Sequence, residues 1–342
     1  MLVKISQLSE RFSNFAVNEC RGSSALYEHL SLKIAEDEEM LNLSSYAQQG
    51  QPIPNLFLGA IHYLLLKGKE HDLREYYPSI VMYPRDIENS FPQFKDFCRS
   101  YRDEIILILK NKLVQTNEVR RCAYLYPSFC YIYNKVKKPL ALIEIGTSAG
   151  LQLLWDKYSY SYGTEEVYGY KNSEVHITSE IKTDNAPLLF HTSPPVSDRV
   201  GIDLHVNDLT NGKDLWLKAL IWPEHCDRRN LFEKASKYVK ETPLKLIEGD
   251  GVALLPEISN QITSDAVLCV FHTHVANQIP LEDKKRLFQV IKTMGSDRDI
   301  LHLYNNMKDG DLHLDYFING NEYNKTIGAT DAHGRWFEWK RV

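Results

Sequence analysis

The feature that most constrains this chain is an abrupt change of texture at Pro139. Upstream, prolines and helical spacings dominate. At Pro139 the chain turns into Leu140-Ala141-Leu142-Ile143-Glu144-Ile145, apolar but for one acid, and closed by Gly146. A short apolar run bounded by Pro and Gly reads as a strand buried on both faces. The turn Gly146-Thr147-Ser148-Ala149-Gly150 comes next, and Leu151 to Tyr158 reads as a helix. Strand, small-residue turn and helix together open a βα unit, which commits the downstream chain to a layered sheet.

The rest of the chain repeats that grammar. Arg199 to Leu204 is a second strand reaching an acid at Asp203. Leu244 to Glu248 is a third, followed by Gly249-Asp250, and Ala266 to Phe271 and Asp299 to Tyr304 are a fourth and fifth. Between them, Asp227 caps a helix whose inner face is Leu231, Phe232, Ala235, Tyr238 and Val239, and Leu287, Phe288, Ile291 and Met294 mark another. Alternating strands and helices predict a parallel, doubly wound α/β sheet. Two strand-like runs around Asn319-Gly320 add a C-terminal antiparallel hairpin. Residues 159–198 read as an insertion rich in Tyr and Thr.

Residues 1–138 read differently. Leu8, Phe12 and Phe15, then Leu26, Leu30 and Ile34, then Phe94, Phe97, Tyr101, Ile105 and Ile108 recur at helical spacing. The expected division is an all-α domain over 1–138 and an α/β domain over 139–342. With 342 residues the chain is long enough for two cores. A net charge of -5 and the lack of a basic stripe argue against a nucleic-acid partner. The stretch Ile53 to Leu66 is too short to span a bilayer and suits a buried helix, while the N-terminal MLVKISQLSERF is too polar for a signal peptide. Six cysteines without a C-x-x-C pair read as reduced packing residues. The expectation is a cytoplasmic protein.

The glycine turn carries the chemistry. Small residues there permit close approach of a ligand, and the helix start beyond it offers unpaired N–H groups. Methyltransferases use such a turn to hold the amino-acid end of S-adenosylmethionine. An acid at the tip of the next strand takes the ribose hydroxyls, and an acid after the third strand faces the adenine. In this chain Glu144, Gly146, Ser148 and Gly150 form the turn, and Asp203 and Asp250 supply the acids. Ser148 stands where the common form has a middle glycine, and the gap from Gly150 to Asp203 exceeds the roughly 20 residues of dinucleotide sites. His272 and His274 come after the fourth strand, where either suits activation of a methyl acceptor. No third ligand stands at a telling spacing from them, so no metal is expected.

The same turn satisfies G-x-S-x-G, the nucleophile elbow of serine hydrolases, with Ser148 as nucleophile and Asp250, then His272 or His333, in the required order. The preceding helical region lacks the strands and His-Gly-Gly run that a hydrolase needs, and Glu144 has no hydrolytic purpose. A non-catalytic nucleoside- or partner-binding protein on the same fold is the third reading. Trp222-Pro223-Glu224, Arg228 and Arg229, and Asn55, His62 and Tyr63 read mainly as packing and surface features; Ala332 to Trp336 is expected to fold over the sheet edge.

Several stretches also resemble a known family. These are Pro54 to Phe57, His62 to Leu66, Tyr76-Tyr77-Pro78-Ser79, Glu144 to Leu151, Asp156-Lys157-Tyr158, Tyr162-Gly163, Gly201-Ile202-Asp203-Leu204, Ile221 to Glu224 and His333-Gly334-Arg335-Trp336. Together they resemble the bacterial family known as domain of unknown function 2332, over nearly the whole chain. The resemblance implies a bacterial source and a two-part protein, but transfers no activity. The combined expectation is a Rossmann-like, methyltransferase-type domain behind a helical domain that shapes the acceptor site, acting with S-adenosylmethionine on a small molecule.

Overall fold

The computed structural model describes residues 5–211 and 214–340. The chain forms two compact units, one from residues 1–116 with 212–230, the other from 117–211 with 231–342. The expected outer domain limits, residues 1 and 342, lie outside the described residues. The division differs from one at 138/139: the helix before Pro139 belongs with the sheet, and a later segment belongs with the helices.

The first unit contains α1 (Ile5–Phe15), α2 (Ala25–Ala35), α3 (Glu38–Ser44), α4 (Ile53–Leu66), α5 (Ser90–Ser100) and α6 (Arg102–Asn111), joined by the later helix α8 (Asp214–Ala219). Ser24 and Asp37 start α2 and α3 by accepting from the N–H groups of Tyr27 and Met40. The α4 helix is buried on nearly every side, as its uninterrupted apolar sequence requires. Phe57 on it meets Phe12 and Phe94 edge-on. His62 is a satisfied core histidine, with Nδ1 donating to Ala219 O at 2.9 Å and Nε2 accepting from the Ser79 hydroxyl at 2.8 Å. Glu224 accepts from Ser24 Oγ at 2.6 Å and Leu26 N at 2.8 Å, and Trp222 packs on Phe15 and Tyr27. The Trp-Pro-Glu stretch is therefore a fastening for residues 214–230.

The second unit opens with α7 (Cys122–Val136), buried along most of its length. Lys137 then takes a left-handed conformation and Pro139 leads into β1 (Leu140–Ile145). The expected helix after the glycine turn is instead a 3₁₀ segment, Leu151–Lys157, broken at Leu154. The Tyr158 hydroxyl donates to Leu151 O, the carbonyl that an α-helix would pair with Trp155 N, and the Tyr160 hydroxyl donates to Trp155 O at the end of the segment. The insertion forms β2 (Ser159–Ser161), β3 (Tyr168–Gly169) and β4 (His176–Thr178), a small sheet of order β3-β2-β4, and then β5 (Glu180–Ile181).

The main sheet continues with β6 (Val196–Asp203), β7 (Lys245–Glu248), β8 (Val267–His272), β9 (Ile300–Tyr304), β10 (Leu312–Ile318) and β11 (Asn321–Gly328). A final strand, β12 (Trp336–Phe337), pairs parallel with β5. Helices α9 (Cys226–Glu241), α10 (Gly251–Ser259) and α11 (Leu281–Gly295) lie between strands in sequence. The order across the main sheet is β11-β10-β9-β8-β1-β6-β7. The five strands β7, β6, β1, β8 and β9 run parallel; β10 and β11 form the antiparallel hairpin at one edge. The order reverses between β1 and β8, so the crevice at their carboxyl ends is where such sheets bind ligands.

Each face of the sheet has its own cover. Ile143, Ile202, Leu268, Val270 and Ile300 bury against Val252, Leu255 and Ile258 of α10 and Leu287 and Ile291 of α11. On the other face, Phe129 of α7 stacks on Trp155 at 4.5 Å and meets Phe271 edge-on at 5.5 Å. Glu144 belongs to this second face, with Gly201 and Phe271 as its partners in register.

Candidate functional site

The carboxyl ends of β1, β8 and β9 share one uncommon property. The first turn after each strand contains a non-glycine residue with left-handed backbone: Ser148 at φ 50°, His274 at φ 61° and Asn306 at φ 59°. Such conformations cost free energy and persist where surrounding structure or function requires them. Ser148 and His274 follow the two strands between which the order reverses, and Asn306 follows the neighbouring β9.

Glu144 is buried at the end of β1, and Thr147 Oγ1 donates to its Oε2 at 2.7 Å. Burial pushes the carboxyl up to about 8; the Thr147 bond and the Arg121 cation oppose that, and the charge of Asp203 adds to it. Thr147 fits because Gly201 has no side chain: a Cβ at 201 would lie 2.6 Å from Thr147 Oγ1. Gly146 and Gly150, at φ 77° and 76°, adopt conformations suited to glycine. A Cβ on Gly146 would stand 2.6 Å from Val275, and one on Gly150 2.7 Å from Leu244. Both glycines thus serve close packing of the fold.

Four of the turn's five N–H groups are spent internally. Gly146 N and Thr147 N donate to Ile202 O, Gly150 N donates to Thr147 O, and Ser148 N donates to Asp203 Oδ2 at 2.8 Å. At the helix start beyond the turn, where unpaired N–H groups are expected, Leu153 N donates to Gly150 O at 3.2 Å. What flanks the turn is carboxylate. Asp203 also accepts from His205 N, and Asp250 caps α10 by accepting from Val252 N and Ala253 N. Asp250 is exposed.

Ser148 Oγ accepts from Asn117 Nδ2 at 3.1 Å and Asn207 Nδ2 at 3.0 Å. Among the described residues, two amides and no histidine address that oxygen, and no strand precedes β1. Neither the base nor the scaffold of a nucleophile elbow stands here.

The two histidines after the fourth strand part company. His272 is the last residue of β8, fully buried on the α11 face, with Nε2 at 3.2 Å from His302 Nε2. Burial holds it down to about 3, so it forms a neutral imidazole pair within the core. It is on the opposite face from Glu144. His274 sits beyond the strand, its N–H donating to Asn305 Oδ1 at 2.9 Å. Burial, then Arg121 and His333, lower its imidazole to about 4.

Gln152, Glu118 and Arg121, which carry no sequence signal, complete the edge together with His333. Gln152 Oε1 accepts from Thr273 Oγ1 at 3.1 Å. His333 Nδ1 lies 3.2 Å from Glu118 Oε2, and Arg121 Nε donates to Ala332 O at 2.9 Å. Gly334 lets this C-terminal turn close, since a Cβ there would meet Arg120 O at 2.5 Å. A surface cleft of about 470 Å³ lies in the first unit, beside Glu39 and Arg102; Glu39 there is committed to Lys95 and Arg99. Among the described residues no group of three His, Cys, Asp or Glu can hold a metal, and no helix is long and apolar enough to cross a membrane. All six cysteines are free thiols, Cys226 exposed and the others buried.

The fold and site therefore define a mixed α/β protein with a helical part and an acid-lined turn at the centre of a seven-stranded, mostly parallel sheet. A family model described as an uncharacterized protein conserved in bacteria, domain of unknown function 2332, matches residues 9–339. The chain belongs to that family. It has no match among curated proteins or solved structures.

Proposed function

We propose that the second unit is a Rossmann-like domain that binds S-adenosylmethionine and transfers its methyl group to a small-molecule acceptor. The observation that carries this reading is the buried Glu144, an acid at the end of β1 whose only hydrogen-bond partner among the described residues is the Thr147 hydroxyl. A buried carboxyl kept near neutral by desolvation is stabilised as its anion by an incoming cation. S-adenosylmethionine supplies a cationic sulfonium whose methyl is open to in-line attack, and an ammonium group. Phosphate-bearing cofactors fit less well, because four of the turn's five amides are engaged and two carboxylates flank it.

In this reading Glu144 takes the ammonium, and Gly146, Ser148 and Gly150 shape the wall. Asp203, fixed by Ser148 N and His205 N, faces the ribose hydroxyls, and Asp250 at the head of α10 borders the adenine. His274, neutral at physiological pH, orients the acceptor; His272 packs the core. The unit's contribution to rate is alignment of donor and acceptor.

The test is calorimetric titration with S-adenosylhomocysteine, run at pH 7 in two buffers of different ionisation enthalpy. Binding of the ammonium lowers the Glu144 pKa, so a proton is released and affinity rises with pH until about 8, where the free carboxyl ionises. The expected result is micromolar binding with buffer-dependent heat, the dependence lost in Glu144→Gln. Absence of binding removes the cofactor reading.

A further inference from the structure

Two buried polar atoms after β8 and β9, His274 Nε2 and Asn305 Nδ2, have no hydrogen-bond partner, and a buried arginine, Arg121 of the turn Val119–Arg121, has no carboxylate partner among the described residues. Asn305 is fully buried. Its Oδ1 accepts from His274 N and from Asn306 Nδ2, both at 2.9 Å, and a backbone N–H can only donate, so the orientation of this amide is fixed. Its Nδ2 is left without a partner. The His274 Nε2 beside it is buried and also without one. Arg121, more than nine-tenths buried, spends Nε on Ala332 O and pairs with no carboxylate among the described residues. Its turn lies at the same edge: Gln152 Nε2 donates to Glu118 O at 3.4 Å, and Gln152 Oε1 accepts from Thr273 Oγ1, the residue before His274.

Buried polar groups in folded proteins are paired, and an arginine buried without a counter-ion is among the rarer exceptions. A guanidinium and an amide N–H together make a donor set for a planar or tetrahedral anion. The left-handed backbone at His274 and Asn306 holds this set in place.

We propose that Arg121 and Asn305, with His274 at its border, form a binding site for the carboxylate or phosphate of a small-molecule ligand. The guanidinium supplies the charge and the fork, the Asn305 amide the second donor. The anion belongs either to the cofactor's own amino-acid end or to a separate acidic substrate; the donors are the same for both. The first source rests on the cofactor reading, whereas the anion site itself does not.

The experiment follows the His274 imidazole by NMR in ligand-free protein while inorganic phosphate, and separately acetate, is titrated at millimolar levels. Saturable shifts are expected, abolished in Arg121→Met and in Asn305→Asp. The aspartate keeps the bond from His274 N and replaces only the donor, so it preserves the fold. Arg121→Met should leave the melting temperature unchanged or raise it, because it removes a buried unpaired cation. A lower melting temperature with phosphate shifts intact would make Arg121 a structural prop and overturn the site, as would the absence of any saturable shift in the parent. In a second arm, S-adenosylhomocysteine is compared with 5′-methylthioadenosine, which lacks the amino-acid end. Weaker binding of the first alone in Arg121→Met assigns the anion to the cofactor; unchanged binding of both, with phosphate binding abolished, assigns it to the substrate. If neither nucleoside binds while phosphate does, the cofactor reading falls and the anion site stands.

Discussion

Glu144 should leave a signature that needs no ligand. Its folded pKa of about 8 lies above the ordinary carboxyl value of 4.5. Between those limits the unfolded chain gives up its proton while the folded protein keeps it, so stability falls as pH rises from about 4.5 to about 8. Glu144→Gln removes that loss. Urea denaturation at pH 5 and pH 8 should show the variant's advantage growing toward pH 8, and parallel profiles would place the carboxyl in a less buried setting. Gly201→Ala tests the same spot from the neighbouring strand. The new methyl meets Thr147, so a cost of about 1–3 kcal/mol is expected by denaturation, with weakened S-adenosylhomocysteine binding. Glu144, Gly146, Ser148 and Asp203 were legible in the sequence because they lie at strand ends, where a local pattern announces them. Arg121, Asn117 and Asn305 carried no such mark. They reach the edge by tertiary packing, and no spacing rule links residue 121 to residue 305.

At the level of elements, the turn of α10 shows how one acid is read two ways. Gly249-Asp250 after a strand suggests a ligand-facing acid, while the structure shows an N-cap accepting two backbone N–H bonds. Asp250→Ala is therefore expected to cost about 1 kcal/mol in stability whether or not a nucleoside binds. A denaturation midpoint unchanged by the substitution would show the cap to be idle. Four of the five parallel strands were readable to within a residue, since their apolar runs are short and bounded; β6 starts three residues before the run that marks it. The helix after the turn was not: its spacing fits an α-helix, but the hydroxyl of Tyr158, within the expected helix, takes Leu151 O, and that of Tyr160, beyond it, takes Trp155 O. His272 was misplaced by one residue of strand, which is enough to put a side chain on the opposite face.

On the scale of the whole molecule, the boundary is the lesson. Helical periodicity continues through α7, so a sequence reading assigns that helix to the helical domain, yet it supplies Phe129 to the stack with Trp155 and Phe271. Period reports secondary structure and says nothing of which core a helix joins. A fragment of residues 139–342 lacks this cover and should be a loosely packed state, with far-UV dichroism retained, near-UV bands weak and dye binding strong. A fragment with native near-UV bands would refute that view. Phe129→Ala in the intact chain should cost about 3–5 kcal/mol by the same loss.

The bond from Arg121 to Ala332 spans 211 residues. A ribosome makes the arginine and the whole glycine turn well before it makes the carbonyl that steadies the arginine. During synthesis the sheet's first strand and its turn can be in place while the guanidinium is still unanchored, so the C-terminal turn acts as a late latch. Competence to bind an anion should then arrive as a single event, when residues 331–337 emerge from the tunnel, rather than growing with chain length.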